Sequence, residues 1–243
     1  MPSGEPCDEP IVIRKEVMFG GLEYEVVMDC AKCKPAWFLN NALGQLDHTR
    51  SSANSMRESI EFKLTEPVVK TESNRPAREA LRGLVMGKAK DASVILGGPP
   101  GTGKTFLALQ ALKSCILNHH ITALYAPEHI LVKAYRSQYD QKNPTVATWG
   151  KRFLDAAKNC KLLVIDDFGQ GRQVSEGAMD AIEQIIMYRY DSNLHMVITT
   201  NRTVDSLSTE RGQRVMSRLR SMTGDKFIGT MGLDWRGSNV KEE

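Results

Sequence analysis

The sequence predicts an α/β fold, a parallel sheet covered by helices on both faces, and three observations predict it. Apolar runs of strand length occur at Ser93-Val94-Ile95-Leu96, Leu162-Leu163-Val164-Ile165 and His195-Met196-Val197-Ile198, as in strands buried on both faces. Between them, Phe106 to Leu117 and the set Ala178, Ala181, Ile182, Ile185 and Ile186 repeat apolar residues at helical spacing. Strands and helices alternate along the chain, the order that builds parallel sheets.

The elements follow in order. Ile11 to Phe19 and Leu22 to Met28 are strand-like and flank Gly20-Gly21, a two-residue hairpin signal. Pairing about that turn makes partner numbers add to 41 and sets Cys7 opposite residue 34. Thr65, Pro67, Thr71, Ser73, Asn74 and Pro76 then mark a linker, which divides the chain into residues 1–62, a linker at 63–75 and a main domain at 76–243. Ala77 to Met86 predicts a helix, Ile121 to Tyr125 a strand, and Glu128 to Tyr139 and Val146 to Lys158 two further helices. Ser175 is placed to cap a helix running to Tyr190.

The segment Gly98-Pro99-Pro100-Gly101-Thr102-Gly103-Lys104-Thr105, followed by Phe106, joins the first of those apolar strands to a helix. Two glycines separated by four residues and followed by Lys and Thr form a phosphate-binding loop: its backbone N–H groups turn inward, and the helix N-terminus adds partial positive charge. ATP is the expected ligand. Lys104 is placed to reach the β- and γ-phosphates, and the Thr105 hydroxyl to hold Mg²⁺. The other reading of Gly-Pro-Pro-Gly, an ordinary turn, does not account for the flanking strand and helix.

Asp166 and Asp167 end the acid strand 62 residues beyond Lys104. The first would stand beside the loop and serve Mg²⁺, and the second could polarise an attacking water. An Asp pair also marks the plain end of a strand. Asn201 ends the next strand, either as a γ-phosphate sensor or as the cap of the following helix. Arg214 and Arg218 lie four apart on one helical face, which by itself reads as a solvated basic face.

The set and order of these motifs resemble the AAA+ ATPases, and within them the bacterial helicase loaders of the DnaC type and their IstB-like relatives. The resemblance rests on Gly98 to Thr105, Leu162-Leu163-Val164-Ile165-Asp166-Asp167-Phe168-Gly169, Thr199-Thr200-Asn201 and Arg214-Val215-Met216-Ser217-Arg218-Leu219-Arg220, with Gly232-Leu233-Asp234-Trp235-Arg236 near the end. It covers residues 76 to 243. It implies a P-loop three-layer sandwich with a five-stranded parallel sheet, in which Asp166 is the metal-side acid and Asp167 stands where Glu is usual. It further implies Asn201 as sensor, Arg218 as the arginine finger and Arg214 as its companion. Only 25 residues follow Arg218, too few for a separate helical lid, so a neighbouring subunit is expected to close over the nucleotide. A finger supplied in trans is worth about 10³ to 10⁵ in rate, and an isolated subunit is expected to be slow.

By the same resemblance the helix from Glu128 to Tyr139 lies where relatives contact DNA. Lys133 and Arg136 offer phosphate contacts there, and Tyr135 and Tyr139 offer either stacking faces or a packing pair. The implied function is ATP-dependent delivery of a replicative DNA helicase onto single-stranded DNA by a homo-oligomer. The alternatives are a transposition helper acting on duplex DNA and a nucleotide-gated adaptor with little turnover.

At the N-terminal end, Cys30 and Cys33 have the spacing of a zinc knuckle, with Cys7 beside them by the hairpin register and His48 fifteen residues beyond Cys33. Zinc is a candidate cofactor; three reduced thiols are the alternative. With 41% hydrophobic and 25% charged residues and no long apolar run, the chain is expected to be soluble, cytoplasmic and without a membrane partner. A net charge of +3 is too small to demand a polyanion, so any nucleic-acid site must be local.

Overall fold

The computed structural model describes residues 13–17, 23–27, 74–86, 93–119, 122–170, 174–224 and 227–230. Strands β1 (Ile13–Val17) and β2 (Glu23–Val27) form an antiparallel pair. The main domain runs α1 (Arg75–Val85), β3 (Ser93–Gly97), α2 (Lys104–His119), β4 (Ala123–Pro127), α3 (Glu128–Ser137) and α4 (Pro144–Asn159). It continues through β5 (Leu162–Asp166), α5 (Glu176–Asp191), β6 (His195–Thr200), α6 (Val204–Arg211), α7 (Gln213–Thr223) and β7 (Phe227–Gly229).

The sheet is five-stranded and all parallel, in the order β4-β5-β6-β3-β7. Alternate strand residues feed two cores. Val94, Leu96, Val164 and Val197 pack against α1 and α2 on one face. Ile95, Leu163, Ile165 and Ile198 pack against α3, α4, α5, α6 and α7 on the other. A strand covered on both faces needs no polar side, which is why β3 and β5 are buried along their whole length.

Register aligns the C-terminal ends of the strands. Gly97 faces Thr200 on β6 and Gly229 on β7, and Pro127 faces Asp166. The loop after β3, the acids after β5 and Asn201 after β6 therefore share one edge, where open parallel sheets bind ligands.

Two expectations are corrected, and one strand had no signal in the sequence. In the hairpin Ile13 faces Val27 and Val17 faces Glu23, so partner numbers add to 40 and not 41. Five residues, 18–22, separate the paired ends, so the register axis passes through one residue and not between Gly20 and Gly21. Loops of three to five residues compete with the two-residue turn, and a Gly pair alone does not choose among them. The second edge strand begins at Ala123, two residues later than expected, and extends to Pro127, tolerated there because the missing N–H falls on the open side of an edge strand. The short β7 was not delimited by any apolar run in the sequence. Among the described residues no helix is long and apolar enough to cross a membrane.

Candidate functional site

The loop after β3 is built by close backbone approach. Gly98 has φ 146°, and a Cβ there would collide with the carbonyl oxygen of Thr230. Thr230 in turn donates from its N–H to Gly97 O at 2.7 Å, and its hydroxyl shares a 2.8 Å hydrogen bond with that of Thr102. Thr102 also donates to Pro99 O at 2.9 Å. The N–H of Gly98 donates to Thr200 O at 3.2 Å, which ties the start of the loop to the residue before Asn201.

Lys104 is 5% exposed, and a buried ammonium needs acceptors. Its Nζ donates to Gly98 O at 2.8 Å and to Pro99 O at 2.6 Å, so the charge sits inside the loop's curve. Helix α2 begins at Lys104, directly after Gly103 with φ 84°. The helix N-terminus and the ammonium thus face the same space, the arrangement that attracts an anion carrying several negative charges.

Asp166 is the centre of the acidic half. It is 4% exposed, and three hydroxyls converge on its carboxylate. Thr105 donates to Oδ1 at 2.9 Å, Thr199 also donates to Oδ1, and Tyr125 donates to Oδ2. Burial and the Asp166 carboxylate hold the Tyr125 phenol well above its ordinary pKa of 10, so it remains a donor. Asp166 Oδ1 and the Thr105 hydroxyl form a hard-oxygen pair at the mouth of the loop, a donor set that fits Mg²⁺.

Asp167 differs in every respect. It is exposed, and its backbone has φ 55°, uncommon for a residue with a Cβ. Its N–H donates to Thr199 Oγ1 at 3.1 Å, and the next N–H, of Phe168, donates to Thr199 O at 2.9 Å. Glu128 Oε2 accepts from Gly169 N–H at 2.8 Å and from Gln170 N–H at 3.2 Å. Arg202 Nε donates to Gly169 O at 3.0 Å. His129, in the first turn of α3, feels both carboxylates; desolvation nevertheless takes its pKa below 6.5.

Of the residues expected from sequence, Lys104, Thr105 and Asp166 meet directly with the loop, and Asn201 follows at its rim, half-buried. The cap of α6 is Thr203, whose side chain accepts from Ser206 N–H at 3.2 Å, so the capping alternative for Asn201 falls. Arg214 is exposed on α7. Arg218, one turn on, lays its guanidinium 4.7 Å from the ring centroid of Tyr190 on α5 of its own chain.

The four DNA candidates do not form one face. Lys133 lies 5.7 Å over the Trp149 ring of α4, whereas Tyr135 packs against the backbone of Gly177 at the start of α5. Tyr135 and Tyr139 meet edge to face at 5.4 Å, the packing pair that the sequence leaves open. Arg136 is exposed, and Tyr139, 64% exposed and beyond the end of α3, keeps an open side. Cys7, Cys30, Cys33 and His48 lie outside the described residues. Among the described residues no group of three or more His, Cys, Asp or Glu is arranged to hold a metal ion.

The sequence reading missed Tyr125, Thr199, Glu128 and Thr230. Their roles depend on which strand neighbours which, and only Thr199 sat inside a recognised motif.

Comparison with known proteins agrees with this geometry. A family model described as IstB-like ATP binding protein matches residues 46–219, beginning ahead of residue 76, where the resemblance in sequence starts. A structure of the DnaC helicase loader is 25% identical with a TM-score of 0.58, covering 69% of this chain and 96% of that one. DnaI is 20% identical with a TM-score of 0.57, covering 74% and 93%. A putative primosome component from Streptococcus pyogenes serotype M3 is 19% identical with a TM-score of 0.59, covering 81% and 98%. No curated protein matches.

Proposed function

From the premise that the chain belongs to the IstB-like ATP-binding family, as a DnaC-like AAA+ protein, we propose that it is an ATPase that assembles on single-stranded DNA and delivers a replicative helicase. The observation that carries the ATPase reading is the Thr105–Asp166 bond at the mouth of a loop already holding the Lys104 ammonium. In this reading the loop's N–H groups bind the phosphates, and Lys104 exchanges its two carbonyl partners for β- and γ-phosphate oxygens. Mg²⁺, when bound, would neutralise phosphate charge, and Thr105 and Asp166 are the residues that would hold it. Asp167 orients the attacking water, Asn201 reads the γ-phosphate, and Arg218 acts on the nucleotide of a neighbouring subunit, with Arg214 beside it.

The loader reading is supported by the likeness to the DnaC helicase loader along 69% of the chain. Its test is fluorescence anisotropy with labelled single and double strands, with and without ATP. ATP should raise affinity for the single strand, through Lys133, Arg136 and the open side of Tyr139. Tyr139→Ala should weaken that binding about tenfold, since stacking is worth about 1 to 3 kcal/mol per base. A preference for duplex would favour the transposition-helper alternative. DNA binding that ignores ATP would leave a nucleotide-gated adaptor.

A further inference from the structure

The buried carboxylate of Glu128 has no part in the scheme above. It is the first residue of α3 and 2% exposed, in a position where an acid must be strongly compensated. Part of that compensation is the positive end of α3. Further compensation comes from the segment after β5, where one oxygen, Oε2, accepts from two successive amides, those of Gly169 and Gln170. These follow Asp167 by two and three residues.

The segment 167–170 is held on its other side by β6. Thr199 binds the N–H groups of Asp167 and Phe168, the Thr200 hydroxyl donates to Phe168 O at 2.7 Å, and Arg202 holds Gly169 O. Gln170 N–H also returns to Asp167 O at 3.2 Å, closing a turn across the acid. A left-handed residue with a Cβ persists only where its surroundings over-determine it. Here β6 supplies one wall and Glu128 the other, and together they fix the direction in which the exposed Asp167 side chain leaves the edge of the sheet.

We propose that Glu128 is a positioning residue for ATP hydrolysis, acting through its bonds to Gly169 and Gln170 to hold Asp167 in its left-handed conformation. The assignment rests on the ATPase reading above. It separates two tasks along one edge: Tyr125 and Thr199 orient Asp166, and Glu128 and Thr199 orient Asp167. Loss of the clamp should therefore slow turnover and leave nucleotide affinity alone.

The experiment is a double-mutant cycle on the full chain with Glu128→Ala, Glu128→Gln, Asp167→Asn and their combinations. Three readouts are needed: ATP affinity, single-turnover hydrolysis, and hydrogen exchange at the amides of Gly169 and Gln170. Glu128→Ala should keep wild-type ATP affinity, lose protection at both amides, and hydrolyse about tenfold or more slowly, the scale of a misplaced catalytic group. Glu128→Gln, which keeps an acceptor oxygen in the same shape, should restore part of the rate, and it carries the test if the alanine variant does not fold. In the Asp167→Asn background neither change should slow the reaction further. Unaltered turnover with both amides exchanging freely would overturn the proposal, as would equal slowing with and without Asp167. A wild-type chain that binds ATP and never cleaves it would overturn the hydrolysis reading itself, and this assignment with it.

Discussion

At the scale of the residue, the decisive group is Asp166, whose two oxygens face different hydroxyls. Tyr125 occupies Oδ2 from inside the sheet, which leaves Oδ1, shared by Thr105 and Thr199, toward the loop. Tyr125→Phe removes one oxygen from a buried site and little else. The freed carboxylate oxygen loses a charge-assisted bond worth about 1.5 kcal/mol, so Mg²⁺-dependent ATP affinity should fall roughly tenfold. Affinity measured in EDTA should be unchanged, and a Mg²⁺ titration with a fluorescent nucleotide reads both. Thr105 and Asp166 were legible in the sequence because their motifs are local, a loop of fixed spacing and an apolar run ending in acids. Tyr125 was not, because its role arises only when Pro127 is set against Asp166 across two strands 39 residues apart in number.

Elements were legible to the extent that their signals were periodic. Helix α4 begins at Pro144, two residues ahead of the expected Val146, behind Asn143, whose side chain accepts from Val146 N–H; α5 begins at Glu176 after Ser175, as its composition implied, but the Ser175 side chain makes no cap hydrogen bond. What composition concealed is how α5 ends. Arg189 in its last turn reads as a cation favouring its own helix terminus, yet it is 0% exposed and turned toward another element. Its guanidinium donates to the carbonyls of Ala157, Lys158 and Cys160, at the end of α4, and to those of Lys161, just ahead of β5, and His195, the first residue of β6. Burial lowers its pKa below the ordinary arginine value, and the convergent carbonyls are what make the buried charge tolerable. Arg189→Met keeps the volume and abandons those acceptors. It should cost at least about 3 kcal/mol in urea unfolding, since each buried carbonyl left without a donor costs about 1 to 3. A variant with wild-type stability would mean that water replaces the guanidinium.

For the whole molecule, the question is which contacts one chain can complete alone. Arg218 is occupied within its own chain by Tyr190, and α7 carries it along the α5 side of the sheet. If it serves a neighbour's nucleotide, Arg218→Ala and Lys104→Ala should each lose turnover, and mixing the two should restore part of it. A composite site would then pair an intact loop from one chain with an intact arginine from the other. No restoration at any mixing ratio would leave Arg218 a packing residue of α7. The sheet itself carries a further constraint. Among the described residues β3 is the first strand of the main domain, yet its outer neighbour is the last, and Thr230 reaches back across 133 residues to Gly97. Contacts so distant in number close late, because the intervening chain must first be brought together. During synthesis, then, the phosphate loop has its complete sequence long before it has its shape. A chain still growing through α5 has no Thr230 with which to brace Gly98, and it gains that brace only once β7 and the residue after it have been made.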